Sequence, residues 1–364
     1  MKSINVLSLF DGMSCGQIAL DQLGIPVKNY FAAEIDKYAI QVAKANYPDT
    51  IHLGDVQNIQ TSGEYLIDEF DCGFKIDLLI GGSPCQGFSF AGKQLNFDDP
   101  RSQLFFEYVR LLKALKPKYF LMENVKMKQE SMDIITEYLG VEPVEINSNL
   151  VSAQNRKRLY WTNIPMDGLP EDKGILLKDI LEPIDQIEDS YYYSDKSIAY
   201  MERGNDKWQQ AGDRRADRYT QTPETEKAFT ITANFHKGVP YNYFDDTRDP
   251  LILQKGRGYN KGGLKALNGK TPTLSTSSWE HNNHLVYRDK SKCVRSGGRG
   301  SYDRHEWDSV DKHHIRKLTV TECERLQTVP DGYTDHVSKT QRYKMLGNGW
   351  TVDVIKHIFG GLTQ

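Results

Sequence analysis

Over its first 165 residues the chain alternates short apolar runs with amphipathic stretches, the pattern of strands and helices taken in turn. The apolar runs predict strands at residues 4–10, 30–34, 76–80, 119–123, 143–147 and 159–162. Between them, apolar residues at three- and four-residue spacing predict helices at 15–23, 37–46, 104–115 and 132–139. Strands rich in Val, Ile and Leu that lack polar alternation must be covered on both faces, so the sheet is expected to be parallel and buried. The fold class is therefore α/β, with a doubly wound, mostly parallel, Rossmann-like sheet.

After Pro165 the texture changes to Gly, Asp, Asn and Tyr without sustained periodicity, and it stays so to about His314. Helical periodicity then returns at 320–327 and 351–359. A texture that is lost and regained predicts an inserted domain. The expected division is residues 1–172 as the first lobe, 173–315 as the smaller insert, and 316–364 as a segment packing back onto the first lobe. A weak echo between Lys227–Ala233 and Lys270–Thr276 suits two short strands inside the insert.

Composition narrows the class of protein. With 364 residues, 38% hydrophobic and 26% charged, the chain suits a soluble two-lobed protein. No apolar run approaches the roughly 18 residues that cross a bilayer, and the start lacks a signal-peptide core, so a cytoplasmic, membrane-free protein is expected. The five cysteines, at 15, 72, 85, 293 and 323, have neither disulfide-framework nor metal-site spacing. The net charge of −3 hides an asymmetry: residues 251–304 carry eleven Lys or Arg against three acids. A basic stretch interleaved with Gly, Asn, Tyr and Trp suits a surface that tracks phosphates, although a solvated loop face has the same composition.

Candidate chemistry gathers at the predicted strand ends. Phe10-Asp11-Gly12-Met13-Ser14-Cys15-Gly16 is a glycine turn between a strand and a helix, which lets backbone approach a ligand and aims N–H groups at it. Such a turn is equally the ordinary connection of an α/β fold. Glu34 ends the second strand, where a carboxylate can accept ribose hydroxyls, and Asp55 follows the next, within reach of an adenine amino group. The strand at 76–80 runs into Gly81-Gly82-Ser83-Pro84-Cys85-Gln86-Gly87, placing a thiol on the edge of the sheet where α/β enzymes work. The next strand delivers Glu123-Asn124-Val125 to the same edge, an acid beside a nucleophile. Gln154-Asn155-Arg156-Lys157-Arg158 would present two guanidiniums, either to a base and its phosphate or to the Glu123 carboxylate.

Taken in order, these segments resemble the C5-cytosine DNA methyltransferase family along nearly the whole chain. Arg316-Lys317-Leu318-Thr319 with Glu322, Arg325-Leu326-Gln327, and Gly347-Asn348 complete the resemblance. It implies an S-adenosylmethionine-dependent methyltransferase fold whose insert recognises the target. It also implies that Cys85 attacks carbon 6 of a flipped cytosine, Glu123 assists at N3, and Arg156 and Arg158 support the base. The cofactor would be held by Phe10, Asp11, Gly12, Ser14, Cys15, Gly16, Glu34, Ile35, Asp55, Val56, Pro84, Leu104, Asn348 and Trp350. Double-stranded DNA would meet Gln86, Ser89 and Lys93 from the loop after Cys85, and Arg257, Lys261, Thr273, Arg295 and Arg299 from the basic insert. The resemblance implies a monomer working with a cognate restriction endonuclease in a bacterial or phage-infected cell. The turns Asp11–Gly16 and Gly347-Asn348-Gly349-Trp350 look more like those of animal de novo enzymes, while the long insert looks prokaryotic or phage-like. The alternatives are a tRNA cytosine methyltransferase of the same fold, which would have a shorter insert, and a catalytically silent DNA-binding protein, which would more readily have lost Cys85 or Glu123.

Overall fold

The computed structural model describes residues 2–68, 70–83, 100–183, 186–191, 251–254, 263–266, 271–272, 284–286 and 315–363. Its centre is a seven-stranded sheet built from β1 (Ile4–Leu9), β2 (Val27–Ala33), β3 (Ile51–Gly54), β7 (Leu78–Gly81), β8 (Tyr119–Asn124), β9 (Val144–Asn147) and β11 (Lys157–Thr162), in the order β3-β2-β1-β7-β8-β11-β9. β1 lies parallel between β2 and β7, and β8 lies parallel to β7. The doubly wound, mostly parallel sheet expected from the sequence is present.

Period-two alternation along these strands feeds two cores. Val6, Leu78, Ile80 and Leu121 face helices α1 (Cys15–Gln22) and α7 (Val352–Phe359), through Ile18, Leu20, Ile355 and Phe359. Leu7, Leu9, Leu79 and Met122 face the other way, against Phe105, Tyr108 and Leu111 of α3 (Pro100–Leu115) and Ile135 of α4 (Gln129–Leu139). Helix α2 (Lys37–Asn46) matches its predicted span, and Asp36 caps it by accepting the Tyr38 N–H at 3.0 Å. The helices α3 and α4 start earlier than their apolar periodicity suggests. Pro100 sits in the first turn of α3, where its missing N–H costs nothing.

Strand β11 runs antiparallel to both β8 and β9. Only a short 3-10 turn at Ser148–Leu150 and the two-residue β10 (Gln154–Asn155) separate it from β9, and so short a connection can only return antiparallel. A small meander of β4 (Gln60–Ser62), β5 (Tyr65–Ile67) and β6 (Gly73–Lys75) lies between β3 and β7.

Further along the chain, β12 (Leu251–Gln254), β13 (Gly263–Ala266), β15 (His284–Val286) and β16 (Ile315–Lys317) form a separate antiparallel sheet in the order β13-β12-β15-β16. β16 is therefore an edge strand of this sheet, and Leu318, the residue after it, is buried in the first core. β14 (Thr271–Pro272) leaves that sheet to pair with Gln154 and Asn155 of β10. The last segment supplies α5 (Val320–Leu326), α6 (Lys339–Asn348) and α7, and α7 packs on α1. The Tyr333 hydroxyl donates to the Met13 carbonyl at 2.8 Å, and Gln154 Nε2 to that of Leu326 at 3.0 Å. These hydrogen bonds, with the packing of α7 on α1, tie residues 318–362 to the sheet and its first helix.

Chain order turns outward from β1 to β2 and β3, then crosses back to β7 and β8. The crevice at the carboxyl ends of β1 and β7 is the topological switch point, where ligands bind in open α/β sheets.

Candidate active site

On one side of the switch point, the turn after β1 alternates into left-handed backbone at Phe10, Gly12 and Ser14, with φ of 56°, 59° and 63°. Two of these three residues carry a Cβ, so the turn needs support, and Asp11 provides it. The Ser14 hydroxyl donates to Asp11 Oδ2 and the Tyr30 hydroxyl to Oδ1 at 2.9 Å. Burial pushes the Asp11 carboxyl up to about 6 despite these donors.

Glu34, at the end of β2, accepts the Gly12 N–H on Oε2 and those of Ile35 and Asp36 on Oε1, each at 2.8 Å. Three of the roughly four acceptor positions of a carboxylate are so used, which leaves one for a hydroxyl rather than room for both. Beside it the Ile35 side chain stands 75% exposed, an apolar surface open to a flat ring. A Cβ built on Gly12 or Gly54 would meet nothing within 4 Å, so open space lies over both turns. Asp55 Oδ1 takes the Gln57 N–H at 3.0 Å, and Val56 is buried in the second core, which leaves its backbone for any ligand.

This crevice fits a nucleoside bearing a positively charged amino-acid tail. It offers an apolar plate at Ile35, an acceptor at Glu34, carboxylates, and open glycine turns. Not every residue assigned to the cofactor from the sequence faces it. Cys15 is buried, its thiol pushed up to about 12 chiefly by desolvation, and Gly16 is closed off by Ile80 and Tyr30. Both pack the turn from behind. Phe10 and Leu104 are partly buried against the second core, Asn348 is exposed at the end of α6, and Trp350 is half-buried.

Across the crevice, β7 ends at Gly81 and leads through Gly82 and Ser83 toward Cys85. Asn124 Nδ2 donates to the Ser83 carbonyl and hydroxyl, both at 3.3 Å, tying this segment to the end of β8. Glu123 is only 8% exposed. Arg158 Nε lies 3.0 Å from its Oε1, and the Trp350 indole N–H donates to Oε2 at 3.1 Å. Antiparallel register explains the ion pair: Glu123 on β8 stands opposite Tyr160 of β11, two residues from Arg158 on the same face.

Arg156 takes a different course from its neighbour. Its guanidinium donates to the carbonyls of Gly349 at 2.9 Å and Gly347 at 3.4 Å. Burial first, then the charge of Arg158, lowers it to about 9. Gln327, which the sequence placed in a motif without a role, holds the same turn through the Leu346 carbonyl at 2.6 Å. Of the other assigned residues, Pro84, Cys85, Gln86, Ser89 and Lys93 lie outside the described residues, as do Arg257, Lys261, Thr273, Arg295 and Arg299. Among the described residues no cluster of His, Cys, Asp or Glu could hold a metal, and no helix is long and apolar enough to cross a membrane.

Open glycine turns at the switch point and a buried carboxylate held from two sides lie at the carboxyl edge of the sheet, where α/β enzymes place their chemistry. Comparison with known proteins makes the class specific: the C-5 cytosine-specific DNA methylase family model matches residues 4–364, and the chain belongs to that family. It is an S-adenosylmethionine-dependent DNA (cytosine-5)-methyltransferase. The chain is 28% identical to the orphan methyltransferase M.SPRI of Bacillus phage SPR, over 99% of this chain and 97% of the relative. It is also 28% identical to the Type II methyltransferase M.NlaIV of Neisseria lactamica, over 98% of each. Among solved structures, the Entamoeba histolytica methyltransferase EhMeth superposes over the whole of both chains with a TM-score of 0.62 at 15% identity. A Spodoptera frugiperda DNMT2 mutant does so with 0.60 at 19%, and at such identities these likenesses speak for the fold alone.

Proposed function

We propose that this enzyme methylates carbon 5 of a cytosine flipped out of double-stranded DNA, through a covalent adduct with Cys85. The observation that carries the reading is Glu123, a buried carboxylate held by Arg158 and Trp350 beside the Gly82-Ser83 segment that leads within two residues to Cys85. A thiol and an acid at neighbouring strand ends suit addition to a ring that must be activated at nitrogen.

The Cys85 thiolate adds to carbon 6, and the C5–C6 π electrons become available at carbon 5 while Glu123 hydrogen-bonds N3 and the exocyclic amine. When bound, S-adenosylmethionine supplies the methyl group, its former bonding pair staying on sulfur. Loss of the carbon 5 proton to solvent then restores the double bond and expels the thiolate. Gly12, Glu34, Ile35, Asp55, the Val56 backbone and Asn348 hold the cofactor. Arg158 orients Glu123, and Arg156 acts behind the site by fixing the turn from Gly347 to Gly349.

Gln86, Ser89 and Lys93 contact the DNA from the loop after Cys85. Arg257, Lys261, Thr273, Arg295 and Arg299 read or track it from the insert. The pairing of β14 with β10 supports this division, because Thr273 follows directly on a strand that lies beside Asn155 and hence beside Arg156. The enzyme acts as a monomer, since residues of one chain supply both sides of the crevice, and the Type II relatives support a cognate restriction endonuclease as its partner.

The test is methyl transfer from labelled S-adenosylmethionine to duplex DNA, with the 5-methylcytosines mapped by sequencing. The expected outcome is methylation at one recurrent sequence, lost in Cys85→Ser, and a trapped adduct on DNA carrying 5-fluorocytosine, from which fluorine cannot leave as a proton does. Transfer to tRNA but not DNA overturns the substrate, and full activity of Cys85→Ser overturns the mechanism.

A further inference from the structure

We propose that Trp350 is a positioning residue for methyl transfer: its indole N–H fixes the Glu123 carboxylate from the side opposite Arg158, so that the acid meets the cytosine in one orientation. This rests on the reading of Glu123 as the group that hydrogen-bonds the base.

An indole has a single donor and no acceptor, and Trp350 commits that donor to Glu123 Oε2 at 3.1 Å. The terminal torsion of a glutamate is broad and nearly two-fold, so an ion pair to one oxygen still leaves the carboxylate free to swing. Arg158 at Oε1 and Trp350 at Oε2 together remove that freedom. The indole is also suited to the task because it is neutral. Arg158 already provides the countercharge, and a second cation would compete with the base for the carboxylate.

The surroundings are built around this ring. A Cβ on Gly82 would meet Trp350 Nε1 at 3.1 Å and Glu123 Oε2 at 2.9 Å, and a Cβ on Gly16 would lie 3.7 Å from Trp350 Cζ3. The ring therefore spans the crevice from the start of α1, under the cofactor turn, to the end of β7, which leads to the nucleophile. Gly82 has no side chain because the Trp350–Glu123 bond occupies the space. Behind the ring, Arg156 and Gln327 both donate to the Gly349 carbonyl, at 2.9 and 3.4 Å, and fix the backbone that carries the tryptophan. The Trp350 side chain thus joins the cofactor turn, the nucleophile strand and the acid. This role differs from the direct cofactor contact assigned to it from the sequence.

The experiment is a double-mutant cycle in the full-length enzyme with Trp350→Phe, which keeps a ring but loses the donor, and Glu123→Gln. It is read as single-turnover methyl transfer to duplex DNA, with S-adenosylmethionine affinity and thermal midpoint measured alongside. Loss of one hydrogen bond to a charged group predicts transfer about tenfold or more slower in Trp350→Phe. Cofactor affinity is expected to stay within about twofold, and Trp350→Phe to add less than about twofold loss in the Glu123→Gln background. Wild-type transfer by Trp350→Phe, the same loss in both backgrounds, or a loss residing in cofactor affinity overturns the proposal while leaving the Glu123 reading intact. Wild-type transfer by Glu123→Gln overturns the reading and the proposal together.

Discussion

Asp11 shows how one side chain can tie the turn after β1 to pH. Its carboxylate lies between the Ser14 and Tyr30 hydroxyls, and Ser8 and Glu34 act on it as well, the serine favouring the charged form and the glutamate opposing it. Burial outweighs the hydroxyls, and the carboxyl rises from 3.8 to about 6. A carboxyl raised on folding contributes stability that is complete when it is protonated in both states, and that contribution is lost as pH rises through the folded value. Asp11→Asn is neutral throughout and nearly isosteric. Its stability relative to the wild type should therefore climb from pH 5 to about 6.5 and then level off, as read by urea unfolding at each pH. A difference that stays constant over that range would place the ionisation elsewhere. At this scale the sequence made the cast legible, because spacing along strands brings Asp11, Glu34, Glu123 and Arg158 to one sheet edge. It could not show that Glu34 is mostly occupied by nearby backbone N–H groups, or that Arg156 turns to carbonyls more than 190 residues away. Those partners depend on how loops fold back, which no local period encodes.

Helix α5 is tied at its start to residues 180–182, far away along the chain. Thr319 caps it, accepting the Glu322 N–H at 3.1 Å, while Glu322 reaches back to the Thr319 N–H at 2.7 Å. The same carboxylate, with no exposed surface, accepts the Glu182 N–H at 3.0 Å. The Thr319 hydroxyl in turn donates to the Glu182 side chain, and Arg325 donates to the Ile180 carbonyl at 3.1 Å. A capping box has thereby become a clasp between the chain at 180–182 and the chain at 319–325. Glu322→Ala would leave one buried N–H, that of Thr319, and the part-buried N–H of Glu182 without this acceptor and should cost roughly 2–4 kcal/mol in urea unfolding. A loss below about 0.5 kcal/mol would mean that the clasp is relieved by water or by movement of the stems. The elements themselves were legible where periodicity is strong, as in α2 and α7. The meander β4–β6 was not, since three-residue strands hold too few positions to show a period of two. Helix α6 also escaped: it is largely polar, and tertiary contacts stabilise it, with Tyr343 donating to the Leu318 carbonyl at 2.6 Å and Arg342 pairing with the buried Glu324.

For the whole molecule, the question is whether the insert helps to hold the lobe together or is only carried by it. Described members of both cores lie at residues 4–191 and 318–362, and the C-terminal segment is woven through the first of them. Val352, Ile355, Ile358 and Phe359 have no exposed surface, Ser148 and Thr351 share a hydrogen bond at 2.8 Å, and the Val352 N–H donates to Gln327 at 2.9 Å. The ends of the insert are already brought together by Glu182, Thr319 and Glu322, so closing the gap needs only a short loop, and short loops carry little closure entropy. Replacing residues 183–317 by a brief Gly/Ser linker should therefore leave a lobe that unfolds cooperatively and binds S-adenosylmethionine within about tenfold of the full enzyme. That lobe should no longer methylate DNA at a defined sequence, because it has lost the basic stretch at 251–304 and the β14 strand that lies along β10. Cutting the chain after residue 182 without restoring 318–364 should give the opposite result, an unfolded fragment whose exposed α1 face lacks α7. Circular dichroism melts of the linker variant and of the 1–182 fragment decide the matter. A linker variant without a cooperative melt would make the insert part of the lobe's own core, and a stable 1–182 fragment would show that the returning segment is dispensable.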